Sequence, residues 1–166
     1  MEYILALPVL LLALMIQVGI ISHINLLSGS ADLFLAILVS YSLQPKVKSA
    51  WFWAVVSGLL VGYVSGLPWY IIMAGYLLII GISHLLQQGI WKSILLEVFI
   101  VLLVGTLITH LLSIGYLLVI GSEVNFVDML SLVTLPSILL NLVLAVPVYF
   151  LIRDITSRTH PSEDFE

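Results

Sequence analysis

The sequence predicts an all-α, polytopic membrane protein, and its composition, its apolar runs and the placement of its charges all favour that class. Of the 166 residues, 62% are hydrophobic and only 8% are charged. Soluble domains carry about 25% charged residues. A soluble chain of this size leaves too much surface in water to hide such an apolar excess. We therefore expect lipid to be the solvent for most of the surface.

Six apolar runs are the candidate transmembrane helices, because a spanning helix needs about 20 residues that each rise 1.5 Å. The second and third runs are short, and the fifth is long enough to require a tilt or a bend. The break before the second run predicts Ser30 as a helix N-cap, with Asp32 in the first turn. The runs cover residues 3–22, 31–44, 51–66, 68–88, 92–119 and 129–152.

The basic residues predict the orientation of these six helices. If the N-terminus is cytoplasmic, every lysine and arginine falls on the cytoplasmic side, as the positive-inside rule favours. We therefore expect one transmembrane domain over residues 1–152, a cytoplasmic tail over 153–166, and both termini in the cytoplasm. The five basic residues are Lys46, Lys48, Lys92, Arg153 and Arg158.

Most tryptophans and many tyrosines lie near the ends of the predicted helices. This placement is typical of the aromatic belts at the two membrane interfaces. We interpret these side chains as belt residues rather than ligand contacts. They are Trp51, Trp53, Trp69, Trp91, Tyr41, Tyr63 and Tyr116.

Few polar groups fall inside the predicted helices. Asn141 lies near the middle of the last run, where its amide should hydrogen-bond to another helix. Ser137 lies one turn earlier on the same face. Pro136 leaves a backbone carbonyl without its helical donor, which a neighbouring segment must satisfy. His84 and Glu97 lie at similar depth. They either contact each other as a polar pair or sit independently near the interface.

Gly58 and Gly62 form a Gly-x-x-x-Gly pattern, and Gly66 continues the spacing four residues later. Small residues at this spacing allow the backbones of two helices to approach closely. The stripe therefore predicts either packing within the chain or a face for a partner helix. Both interpretations remain open at this point.

No motif in the chain indicates catalysis. There is no cysteine, and the net charge of −4 provides no basic patch for nucleic acid. His23 and His110 lack a third metal ligand at a recognisable spacing, and no nucleophile elbow or phosphate loop is present. We expect a protein that is not an enzyme, with no catalytic residue, no metal and no cofactor.

Three local patterns, in the order in which they occur, resemble the MreD family of bacterial rod-shape proteins. Residues 31–36, Ala-Asp-Leu-Phe-Leu-Ala, are similar to the family's Asp-led start of the second helix. Residues 58–69 are similar to its Gly-rich segment, which ends in a Ser-Gly-x-Pro turn that here contains Pro68. Residues 136–141 match its Pro-Ser-x-x-x-Asn signature in the last helix. The chain has Tyr63 where the family usually places an aspartate.

The resemblance implies a non-enzymatic scaffold of the cell-elongation complex in the bacterial inner membrane. Such a protein binds an MreC-like single-pass protein and helps to regulate peptidoglycan synthesis and cell shape. RodA and the class B transpeptidase are further implied partners, with MreB indirectly associated. The resemblance assigns partner or packing roles to Asp32, Gly58, Gly62, Gly66, Pro68, Pro136, Ser137 and Asn141.

The implied fold resembles that of the substrate-binding subunits of energy-coupling-factor transporters. This likeness provides the alternative function, a vitamin-binding transporter subunit, which needs convergent polar groups in an apolar pocket. A channel would need a polar path across the bilayer centre, where only Ser137 and Asn141 are expected.

Overall fold

The computed structural model describes residues 2–44, 47–87 and 93–159. Lys46, Trp91, Lys92 and the tail residues 160–166 lie outside these ranges. The protein is 82% helical, and four of its helices are long and apolar enough to cross a membrane. The fold is therefore that of a multi-pass helical membrane protein. The four helical stretches are Ala6–His23, Trp69–Leu86, Ile94–Val119 and Phe126–Arg158.

Each of the six predicted runs corresponds to one helix of at least ten residues, and these six are the long helices of the fold. The two shortest of them have 10 and 15 residues. The six are α1 (Glu2–Gly19), α2 (Leu33–Ser42), α3 (Ala50–Val64), α4 (Trp69–Leu86), α5 (Ile94–Val119) and α7 (Leu135–Thr159). A 3₁₀ turn, Ile21–His23, follows α1. A short helix α6 (Phe126–Asp128) and a π-helical stretch, Met129–Thr134, lead into α7.

The shortest of the six long helices, α2, lies at the centre of the bundle. It packs against α1, α3, α4, α5 and α7, and all ten of its residues are buried. Ten residues span about 15 Å, half of a hydrocarbon core that is about 30 Å thick. Because every residue of α2 is buried within the protein, neighbouring helices rather than lipid surround it.

A two-stranded antiparallel hairpin connects α1 to α2. Its strands are β1 (Asn25–Leu26) and β2 (Gly29–Ser30). Leu27 completes the turn with a φ of 55°, a left-handed conformation that leucine rarely adopts. Both residues of β1 and the turn residue Leu27 are exposed, whereas Gly29 of β2 is buried against α7.

The glycine stripe is used for packing between α3 and α4. A Cβ added at Gly58 would lie 2.7 Å from the Met73 Cα, and one at Gly62 would lie 2.6 Å from the Trp69 Cα. Gly66 does not continue the stripe as predicted, because α3 ends at Val64 and nothing lies within 4 Å of the Gly66 position. The stripe is therefore covered by the protein's own next helix.

Two of the predicted belt aromatics are instead core residues. Trp53 and Tyr41 are 2% and 5% exposed, and their rings stack with centroids 4.1 Å apart. The Tyr41 hydroxyl also lies 2.8 Å from the Ser49 Oγ. Both rings lie at the C-terminal end of α2, where they fill the space between the short helix and α3. Trp51, Tyr63 and Trp69 are exposed, as belt residues would be.

Candidate functional site

The start of α7 has an irregular backbone whose free carbonyl is satisfied by the hairpin. Pro136 has no N–H, so the carbonyl of Leu132, four residues earlier, lacks its usual helical donor. The backbone N–H of Ser28 donates to this carbonyl at 3.1 Å. The predicted need for a neighbouring donor is confirmed, and the neighbour is the loop between β1 and β2.

Gly29 permits the close approach between the hairpin and α7. A Cβ at this position would lie 2.6 Å from the Val133 carbonyl oxygen and 2.7 Å from the Ser137 nitrogen. Real Cβ atoms do not tolerate such distances, and both contacts are rigid backbone. Only glycine therefore allows β2 to lie directly on α7.

Alternate residues after the turn then bond to successive turns of α7. The N–H of Ser30 donates to the Ser137 Oγ at 3.1 Å, and the N–H of Asp32 donates to the Asn141 Oδ1 at 2.7 Å. In an extended chain, alternate N–H groups point the same way with a spacing near the pitch of an α-helix. Ser137 and Asn141 are both about 1% exposed. The hydrogen bond predicted for Asn141 is confirmed, and Ser137, which faces the same way, makes one as well.

Asn141 also links α7 to α5. Its Nδ2 donates to the Thr106 Oγ1 at 2.8 Å, and the Thr106 hydroxyl donates to the Leu102 carbonyl at 2.8 Å. The side-chain amide thus uses both its oxygen and its nitrogen. It holds the start of α2 and the middle of α5 on the same face of α7.

Asp32 is the N-cap of α2, a role that the sequence had assigned to Ser30. Its Oδ1 accepts from the Leu35 N–H at 3.0 Å, while Ser30 belongs to β2. Its Oδ2 accepts from the hydroxyl of Tyr76 at 2.8 Å. The prediction for Ser30 was wrong because the chain stays extended for two more residues along α7. The carboxyl group therefore joins α2 to α4.

Gln17 of α1 hydrogen-bonds to the backbone on both sides of Asp32. Its Nε2 donates to the Ala31 carbonyl at 2.9 Å, and its Oε1 accepts from the Leu33 N–H at 2.9 Å. Sequence reasoning did not identify Gln17, Tyr76 or Thr106. Gln17 did carry a signal, because it is the one amide or charged residue between Tyr3 and Ile21. Such a residue in an apolar helix needs a partner.

A cavity of about 500 Å³ opens beside this network, between α1, α3, α4 and α5. Asp32 and Tyr76 lie on its wall with Gln17 and His110, and the His110 Nδ1 lies 3.0 Å from the Thr134 Oγ1. The remaining wall is largely apolar, contributed by residues such as Leu14, Val61 and Ile72. Small-molecule sites typically have this volume and this mixture of apolar walls and a few convergent polar groups.

Comparison with models of protein families, with curated proteins and with solved structures finds no match to this chain. Over the residues that the structure describes, no three or more His, Cys, Asp or Glu residues lie together as a metal site would require. The polar groups around Asp32 are amide, hydroxyl and carboxyl groups that hydrogen-bond to one another and to the backbone.

The structure does not bring His84 and Glu97 together. The Nδ1 of His84 lies 2.9 Å from the Ile80 carbonyl of its own helix, and the ring stacks on Trp51 with centroids 5.7 Å apart. Glu97 is buried near the start of α5 and makes no hydrogen bond with His84. Of the two interpretations, independent placement is the one that fits.

Pro68 directly precedes α4, where its carbonyl accepts from the Ile71 N–H at 3.1 Å.

Proposed function

We propose that this chain is an MreD-type membrane scaffold: it binds an MreC-like single-pass protein and helps to organise peptidoglycan synthesis during cell elongation. In this proposal all six long helices belong to the membrane domain of a bacterial inner-membrane protein, with both termini cytoplasmic. RodA and the class B transpeptidase are further partners, MreB is reached indirectly, and the chain has no catalytic role of its own.

The observation that carries the proposal is the contact between two of the three family-like patterns. Asp32 belongs to the first pattern, and Ser137 and Asn141 belong to the third. The Asn141 Oδ1 accepts the Asp32 N–H at 2.7 Å across 109 positions of sequence. A chance match in leucine-rich sequence provides no reason for these residues to meet. A shared structural role does provide such a reason, because a hydrogen bond between the two patterns constrains the residues of both.

The second pattern supports the proposal in a narrower way. Gly58 and Gly62 pack against α4, and Pro68 starts that helix. These residues therefore build the α3–α4 hairpin rather than a free face for a partner. In a scaffold of this kind, the partner helix must lie against another apolar face of the bundle, in the manner of helix-in-groove recognition.

Co-expression with the MreC-like protein of the same genome tests the proposal. The tagged chain in mild detergent should recover the intact partner in roughly equal amount. A partner whose transmembrane helix is replaced by an unrelated apolar helix of equal length should be recovered at least tenfold less. Equal recovery of both versions, or of neither, contradicts binding through the membrane helix.

The cavity favours a second candidate function, the vitamin-binding subunit of an energy-coupling-factor-type transporter. Its volume of about 500 Å³ and its polar wall suit a small polar ligand. In the first helix, however, Ala6 and Ala13 are seven positions apart and do not form the Ala-x-x-x-Ala pattern typical of such subunits. Mass spectrometry of the purified protein distinguishes the two functions, since a co-purifying vitamin supports the transporter subunit.

A further inference from the structure

The charged and polar groups on the wall of the cavity beside the N-terminal end of α2 limit which ligands it can bind. It contains one carboxyl group, that of Asp32, and no lysine or arginine side chain contributes to its wall. Over residues 2–44, 47–87 and 93–159, the one ion pair joins Arg158 to Asp154, far along α7. Asp32 therefore has no cationic partner within the described part of the chain.

Five of the polar side chains on the cavity wall already donate a proton within the protein. The hydroxyls of Ser22, Thr109 and Ser113 donate to carbonyls four residues earlier in their own helices. The hydroxyl of Tyr76 donates to Asp32, and the Gln17 amide donates to the Ala31 carbonyl. A hydroxyl that donates keeps lone pairs that can still accept, and a carboxylate accepts about four hydrogen bonds in all. Together with the Asp32 carboxyl group, these five side chains therefore offer a ligand mainly acceptors.

An intramembrane carboxylate is costly unless something pairs with it. Two of its acceptor positions are taken by Leu35 N–H and the Tyr76 hydroxyl, and both donors are neutral. A ligand that carried a carboxylate or phosphate and no cationic group would place a like charge beside the Asp32 carboxylate, with no lysine or arginine on the wall to pair with it. A ligand with an ammonium or guanidinium group would supply both the missing charge and the missing donors.

We propose that this cavity binds an organic cation, whose ammonium or guanidinium group hydrogen-bonds to Asp32 and whose apolar body lies against the cavity's aliphatic wall. This inference goes beyond the scaffold function and does not depend on it. The mouth lies among the exposed residues Val18, Ser22 and Val64. A soluble amine and the amine headgroup of a lipid share the required chemistry.

Matched probes test the charge preference. We would titrate the purified protein with 2-phenylethylamine and with 3-phenylpropanoate, which have similar apolar bodies and opposite charges. Native mass spectrometry in nanodiscs would compare phosphatidylethanolamine with phosphatidylglycerol, which distinguishes a lipid from a soluble source. We expect at least one of the two amines to bind at least tenfold more tightly than its anionic counterpart. Equal binding within both pairs, or no binding by either amine, overturns the proposal.

Three variants locate the site. Asp32→Asn keeps an N-cap acceptor for α2 but removes the charge, and it should weaken amine binding at least tenfold. Val64→Trp places a large ring at the exposed mouth and should weaken it similarly without touching the buried network. Val143→Trp adds the same ring at a position on α7 that is 71% exposed and outside the cavity wall, and should change nothing. Amine binding that persists in both cavity variants contradicts the assignment.

Discussion

The two ends of α2 are held by different kinds of interaction. At the N-terminal end, side chains from α1, α4 and α7 bond directly to Asp32 and its neighbours, and a cavity opens beside them. At the C-terminal end, the Tyr41 and Trp53 rings stack, and the Gln87 amide donates to the Ser42 carbonyl. Directional hydrogen bonds specify the position of the first end, and ring packing fills the second.

The two regions also differ in whether their buried polar atoms form hydrogen bonds. Ser40 Oγ, Ser57 Oγ and Trp53 Nε1 are buried and have no hydrogen-bond partner among the described residues. In contrast, four buried or half-buried polar side chains around Asp32 all form hydrogen bonds. They are Gln17, Tyr76, Ser137 and Asn141. Removal of a hydrogen-bonding group around Asp32 should therefore lower the free energy of unfolding. Removal of the unpartnered hydroxyls of Ser40 or Ser57 should leave it nearly unchanged.

The largest expected effect is at Gly29. The variant Gly29→Ala should cost about 3 kcal/mol or more of unfolding free energy, because overpacking against rigid backbone forces the hairpin away from α7. Thermal unfolding in detergent measures this cost. The control is Gly115→Ala, which has open space around the added methyl and should stabilise α5 by about 0.5–1 kcal/mol. Equal behaviour of the two variants would show that the hairpin does not lie on α7.

Removal of the central amide should have the next largest effect. The variant Asn141→Leu leaves the Asp32 N–H without its acceptor and should cost about 1–3 kcal/mol. The exposed Val143→Leu on the same helix is the control and should change stability by less than about 0.5 kcal/mol. A double variant with Thr106→Val should cost less than the sum of the single variants, because the two side chains bond to each other. Strict additivity would argue against that bond.

The tyrosine hydroxyl at the wall of the cavity should contribute less. The variant Tyr76→Phe keeps the buried ring, which is 1% exposed, and removes one hydrogen bond to Asp32. We expect a loss of about 0.5–1.5 kcal/mol, the usual net contribution of one intramolecular hydrogen bond. Tyr70→Phe, an exposed tyrosine on the same helix, is the control in the same unfolding assay. A neutral Tyr76→Phe would mean that the hydroxyl does not hold Asp32.

The smallest effects should occur at two buried hydroxyls away from Asp32, Ser40 near the C-terminal end of α2 and Ser57 in α3. The variants Ser40→Ala and Ser57→Ala each remove a buried hydroxyl oxygen that has no partner among the described residues. The loss of such a group should be neutral or stabilising, within about 0.5 kcal/mol. Ser137→Ala, at the other end, should be clearly destabilising in the same assay. A large loss at Ser40 or Ser57 would remove the contrast between the two ends.

Apolar run lengths and single polar residues account for what the sequence predicts well. The six runs correspond to the six long helices, and Pro136, Ser137 and Asn141 make the contacts that their chemistry requires. The glycine pair also packs on another helix, as one of its two interpretations held. Each of these features depends on local sequence and on the rule that polar groups inside a membrane must find partners.

Contacts between distant segments account for what the sequence did not predict. The sequence indicates a break before the second run but does not show the Asn25–Ser30 hairpin, whose contacts with Leu132 and Ser137 join segments more than 100 residues apart. Ser30 has the side chain of an N-cap, yet α7 keeps the chain extended to Asp32. Tyr41 and Trp53 resemble belt residues at the ends of short runs. They are buried because α2 is surrounded by protein instead of lipid.

The composition of the complex isolated from its own membranes tests the scaffold function most directly. The chain would be tagged at its native level, crosslinked briefly in the cells that encode it, and purified in mild detergent for mass spectrometry. We predict recovery of a single-pass MreC-like protein in near-equal amount, with RodA and the class B transpeptidase in lesser amounts. Recovery of the chain with cytoplasmic ATPase subunits and a bound vitamin, or with no membrane partner at all, would contradict the account.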